Sequence, residues 1–156
     1  MPVKRIRKFL LLSQADKLIL LHSAFVVVFV TMGLRIFPWL RLQRFLLKLA
    51  DWHPHFLTSN RPSANRIAWG VRASSHYVPK ATCLPQALAA QYLLARSAYP
   101  ADLQIGVAKD KNGKLEAHAW VISENQIIIG NVRNVDQFMS LSHMEGITTE
   151  DYGRAF

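Results

Sequence analysis

The only cysteine of the chain, Cys83, stands in VPKATCLPQALAAQYLL (residues 78–94), where an apolar helical pattern begins. Thr82 is a residue type that caps helices, and Pro85 suits a first turn because no intrahelical donor is lost there. A thiol at such a start meets the positive end of the helix dipole, which favours the thiolate, the reactive form. The first-turn amides point the same way and can receive an oxyanion. Position alone still favours a small buried hydrophobe, because free cysteine is among the most buried residue types. His118, in EAHAWVI and 35 residues further on, shifts the balance. A cysteine nucleophile needs an imidazole to take the thiol proton and return it to the leaving group. In a strand the alternation places His118 on one face with Glu116 and Trp120, opposite Ala117 and Ala119. A helix bearing Cys83 packed on that strand brings the two together, and the next strand can supply a third group to orient the imidazole.

The elements that must hold this pair can be read from the pattern. Ser13 caps a helix start with Asp16 in its first turn. Residues 18–34 then form an uncharged run of 17, at the lower limit of about 17–25 residues for a membrane span. His22, Ser23 and Thr31 interrupt it, and no small-residue cleavage site follows as a signal peptide requires. A helix facing a core or a partner is therefore favoured over a span. From Pro38, Trp39, Leu42, Leu46 and Leu49 recur at helical spacing, with Arg41, Arg44 and Lys48 elsewhere around the helix. That pattern reads as a helix lying on a core with a solvated basic face. Residues 51–65, DWHPHFLTSNRPSAN, read as a linker, followed by helices over about 65–76 and 83–96. The period then changes: ADLQIGVAK, LEAHAWVIS and NQIIIGN are β-branched runs separated by DKNG and SEN turns. Helices followed by an antiparallel meander of about three strands predict an α+β fold. The expected organisation is an N-terminal helical region over 1–50, a linker over 51–64 and a catalytic core over 65–156.

Composition narrows the function classes. The chain has 156 residues, 51% of them hydrophobic, enough for one domain with a working core. One cysteine excludes an internal disulfide framework and a multi-cysteine zinc site. His53 and His55 flank Pro54 without further ligands nearby and read as a surface loop, so no metal or cofactor is called for. The net charge of +9 permits nucleic acid, anionic lipid or an acidic peptide as partner. The basic residues carry no aromatic–basic motif of the usual nucleic-acid modules, so nucleic acid is not expected.

The stretch ATCLPQALAAQYLLARSAYPADLQIGVAKDKNGKLEAHAWVISENQIIIG resembles the leader peptidases of lasso-peptide biosynthesis, which are transglutaminase-like cysteine proteases. The resemblance rests on Thr82–Cys83–Leu84, the alanine- and leucine-rich helix after it, residues 103–107 (LQIGV) and residues 117–121 (AHAWV), within about 66–140. It implies a transglutaminase- or papain-like core behind N-terminal helices, with Cys83 as nucleophile and His118 as general base and acid. The family pattern places an acidic residue on the strand after the histidine, where this chain has Gly130 and Asn131. Asparagine can orient an imidazole through its side-chain carbonyl, so Asn131 is the expected third member, with Asp136 and Glu124 as competitors. The implied reaction is removal of a leader from a precursor peptide. The implied partners are a separate winged-helix-like leader-binding protein and an ATP-using macrolactam cyclase. Amine acylation of the transglutaminase kind and a non-catalytic basic membrane protein are the alternatives. The expected location is the cytoplasm, with membrane contact through 18–34 not favoured.

Overall fold

A computed structural model describes residues 11–52, 61–109, 114–130 and 139–140. Helix α1 (Gln14–Gly33) starts at Ser13, whose hydroxyl accepts the Asp16 amide at 3.1 Å and donates to the Asp16 carboxylate at 2.7 Å. Ser23, Val26, Val27, Val30 and Thr31 recur every three or four residues and form the buried face of α1. Thr31 stays dry by turning its hydroxyl onto the Val27 carbonyl (2.7 Å). Helix α2 (Trp39–Trp52) buries Leu42, Leu46 and Ala50 and leaves Arg41, Arg44 and Lys48 in solvent, as the amphipathic spacing predicts. Pro38 lies just before α2 rather than inside it, and its carbonyl receives the Arg41 and Leu42 amides. Helix α3 (Ala64–Ser75) is capped by Ser63. Most of the expected linker, together with His53 and His55, lies outside the described residues.

Helices α1 and α3 meet through small side chains. A Cβ on Gly70 would lie 2.6 Å from the Ser23 hydroxyl oxygen and 2.9 Å from Ile19 Cγ2, so any larger residue requires one of those side chains to shift. The Ser74 hydroxyl lies within reach of the Leu20 carbonyl across the interface (3.2 Å) and of Gly70 in its own helix (2.7 Å). Asp16 and Arg66 close the same interface with a charge-assisted bond at its exposed edge.

Helix α4 (Cys83–Arg96) is the centre of the fold. Leu84 through Leu94 are buried apart from Gln86, which is what a helix apolar on most sides requires. It touches α1, α2, α3 and the sheet, and the buried side chains from Val26 to Ile129 form one continuous core around it. The sheet comprises β1 (Asp102–Lys109), β2 (Leu115–Ser123), β3 (Gln126–Ile129) and the two-residue β4 (Met139–Ser140). Its order is β3-β2-β1-β4, antiparallel throughout, with Gly106 opposite His118 and Val121 opposite Ile129. Glu124 and Asn125 form the β2–β3 turn, both at positive φ (49° and 62°), the geometry of a tight two-residue hairpin. The fold is α+β, with the three expected strands in place and β4 added on the far edge of β1. A two-residue strand carries no readable period, so nothing in the sequence announces it.

Candidate active site

Cys83 is the first residue of α4, and its placement begins with the loop before it. Thr82 occupies the cap position in extended backbone, but its side chain makes no capping bond. The loop is fastened instead by Gln86, which donates from Nε2 to the Ala81 carbonyl at 2.8 Å. Cys83 is half-buried against the core, with the Leu84 amide facing its sulfur from the first turn of the helix. The Ala119 amide reaches the same sulfur from β2, because α4 packs directly on that strand. Two backbone donors from separate elements therefore converge on the sulfur, and such donors favour the anion.

His118 arrives from β2, half-buried and hydrogen-bonded to the Cys83 side chain. Its Nε2 lies 3.0 Å from the Gly130 carbonyl oxygen. A carbonyl only accepts, so Nε2 carries a proton, which leaves Nδ1 for the bond to Cys83. Trp120, on the same face of β2, lies near-parallel to the imidazole with ring centroids 6.3 Å apart and an 18° tilt. Being itself buried, Trp120 walls off one side of the pair.

Gly130 is the residue that the sequence did not single out by role. It follows β3 with φ +78°, and a Cβ there would lie 2.5 Å from the Ala119 carbonyl oxygen and 2.8 Å from Trp120 Cα. Both obstacles are backbone or close to it, and the positive φ independently disfavours a side chain. Glycine thus lets the chain leave β3 tightly against β2 and aim its carbonyl at His118. The signal available was the glycine ending the IIIGN run, since a glycine closing a β-branched strand marks a bend or a close backbone approach. Asn131 and Asp136 lie outside the described residues. Glu124 sits in the exposed hairpin turn, six residues along β2 from His118 or about 20 Å by strand rise, and does not reach the imidazole.

The electrostatics of the pair are mutual. Burial pushes the Cys83 thiol up, but the His118 bond, the Ala119 amide, the imidazole charge and the Leu84 amide together bring it below the ordinary thiol value. The bond to Cys83 raises His118. Burial opposes this, while the Gly130 carbonyl and the charges of Cys83 and Glu116 add to it. Opposite shifts of this kind favour a thiolate beside an imidazolium, a nucleophile with its proton donor already loaded. Among the described residues, no group of three or more His, Cys, Asp or Glu is placed to hold a metal ion.

The sequence pattern of the transglutaminase-like superfamily matches residues 26–143, three quarters of the chain and all of the elements that build this pair. The chain belongs to the transglutaminase-like superfamily. No curated protein and no solved structure matches it significantly. Transglutaminase-like proteins generally act as cysteine proteases or acyltransferases, chemistries that share one intermediate, a thioester on the cysteine. The match begins inside α1, so the N-terminal helices that pack on α4 fall largely within the family pattern.

Proposed function

We propose that this transglutaminase-like protein is a cysteine endopeptidase that removes the leader from a lasso-peptide precursor. The observation that carries the catalytic part is the Cys83–His118 pair, bonded to each other with His118 Nε2 held by the Gly130 carbonyl. The substrate class rests on the resemblance of residues 66–140 to lasso-peptide leader peptidases.

In this reading the Cys83 thiolate attacks the carbonyl at the leader–core junction, and the C–N π-conjugation gives way to a tetrahedral oxyanion. The first-turn amides of α4 face the developing negative charge. His118 passes its Nδ1 proton to the departing amine as the C–N bond breaks, freeing the amino terminus of the core and leaving the leader as a thioester on Cys83. Water then attacks the thioester while His118 takes its proton. The leader departs as a carboxylic acid, and the thiol returns to its resting state. Asn131 is the proposed third member of the site, as the resemblance implies. A separate leader-binding protein would deliver the precursor, and an ATP-using cyclase would close the ring on the freed amine.

The same thioester can be taken by an amine instead of water, as in transglutaminases. Incubation with a precursor peptide and its leader-binding protein, read by mass, separates the two. Cleavage between leader and core supports the proposal. An isopeptide-linked product without cleavage contradicts it and assigns amine acylation.

A further inference from the structure

Only one side of α1 is used by the core. On its outer side Leu18, Leu21, Phe25, Val28, Phe29 and Met32 are 44–71% exposed and fall on one stripe of the helix. Ile36 and Phe37 in the turn into α2, and Phe45 on α2, are exposed as well. An apolar surface this long on a folded chain marks a place where something binds.

Charge indicates what binds there. From residue 17 to residue 50 there is no Asp or Glu, while Lys17, Arg35, Arg41, Arg44 and Lys48 are all present. Residues 1–50 hold nine Lys and Arg against the single Asp16, which Arg66 engages; residues 51–156 hold ten against nine. The first 50 residues therefore carry +8 of the net +9. Arg35, Arg41, Arg44 and Lys48 are exposed, and on α2 the helical spacing sets Arg41, Arg44 and Lys48 around the exposed Phe45. A second copy of the chain is a poor fit, because the contact would face one cationic region with another.

The helix is long and apolar enough to cross a bilayer by length and composition. Its inner face nevertheless belongs to the core, and the Asp16–Arg66 pair, the Ser74–Leu20 contact and the Gly70 approach join it to α3. Spanning would strip that face from the fold that positions Cys83. We propose that the outer surface of α1 and α2 binds an anionic lipid bilayer in the plane of its interface. The α1 stripe enters the headgroup–acyl boundary and the α2 cations meet lipid phosphates. This proposal is independent of the peptidase reading, since its probe is a vesicle and not a peptide.

The test is cosedimentation of the full chain with vesicles of phosphatidylcholine, with and without about 30% phosphatidylglycerol. Binding to the anionic vesicles is expected, weakening as salt rises and falling steeply on phosphatidylcholine alone. Two variants address the two halves of the surface, and both change exposed residues. Arg41→Gln/Arg44→Gln/Lys48→Gln should weaken partitioning on the order of a hundredfold, from about fivefold per lost cation. Leu21→Gln/Phe25→Gln should weaken it at least about tenfold from the lost apolar insertion. Both variants should keep the wild-type thermal midpoint and Cys83 alkylation rate. The proposal is overturned by vesicle binding that neither variant changes, by equal binding to neutral and anionic vesicles, or by retention after alkaline carbonate, which indicates a span. Absence of vesicle binding, with or without a dimer that Leu21→Gln/Phe25→Gln dissociates, overturns it as well.

Discussion

Replacing Gly130 by alanine tests how far the pair depends on one backbone carbonyl. The added Cβ would meet the Ala119 carbonyl oxygen at 2.5 Å, where ordinary contacts begin at 3.4 Å, so the backbones must part by about 0.9 Å. A shift of that size in the Gly130 carbonyl takes a 3.0 Å bond to His118 Nε2 beyond the roughly 3.5 Å at which hydrogen bonding fails. Alanine at φ +78° adds about 1–2 kcal/mol of backbone strain, which a chain of this size can survive. The imidazole then loses both its orientation and one of the contacts that raise its pKa, so it protonates less readily and stabilises the thiolate less. Misplacing a catalytic group by about 1 Å costs on the order of a hundredfold, and under the proposed peptidase function kcat/KM for cleavage should fall by that order. Alkylation of Cys83 by iodoacetamide reports the same change without a peptide, and a single cysteine makes the signal unambiguous. Its pH midpoint should move to higher pH in Gly130→Ala. Circular dichroism and a cooperative thermal transition establish that the variant is folded. A folded variant with wild-type cleavage and an unmoved alkylation midpoint refutes the orienting role of this carbonyl.

Other outcomes follow from the same geometry. The pH dependence of kcat/KM should be bell-shaped, with an acid limb below the ordinary thiol value, where Cys83 deprotonates, and a basic limb above the ordinary histidine value, where His118 loses its proton. A single alkaline rise at the ordinary thiol value would show that the two groups are not coupled. Gly70→Val should push α1 from α3 at a cost of about 1–3 kcal/mol, lowering Tm by roughly 2–12 °C in a melting curve. An unchanged Tm would mean that Ser23 and Ile19 yield freely. Asn131→Ala should reduce cleavage less than Cys83→Ala or His118→Ala, since an orienting group contributes less than the nucleophile or the base. If Asn131→Ala is silent and Asp136→Ala is impaired, the third residue is Asp136.

Much of the architecture is legible because its signals are local. Ser13 with Asp16, the Leu42 and Leu46 spacing and the strand that carries His118 and Trp120 on one face each depend on signals within one element, and each appears where expected. The convergence of Cys83 and His118 is legible for a different reason. A thiol at a helix start and an imidazole on a strand have few arrangements in which both are useful. What stays hidden is set by the backbone across elements. The Gly130 carbonyl and the Ala119 amide act on the pair through groups that every residue possesses, so residue type does not advertise them. Thr82 shows the converse, since its type suggests a cap that its side chain does not make. The run over 18–34 is ambiguous by composition alone, because the same apolar count serves a core, a bilayer or both. Only packing divides it into an inner face held by α3 and α4 and an outer face in solvent.

His118 makes a thiolate of Cys83, and titrating that thiolate tests the relation directly. The ultraviolet absorbance of wild type, less that of Cys83→Ala, is followed against pH and compared with the same titration of His118→Ala. Thiolate should form in wild type below the ordinary value of 9.0. Without His118, burial is opposed only by the Ala119 and Leu84 amides, so the His118→Ala titration should move to higher pH. A wild-type thiol that titrates at or above 9.0, or a midpoint that His118→Ala leaves in place, would contradict that relation.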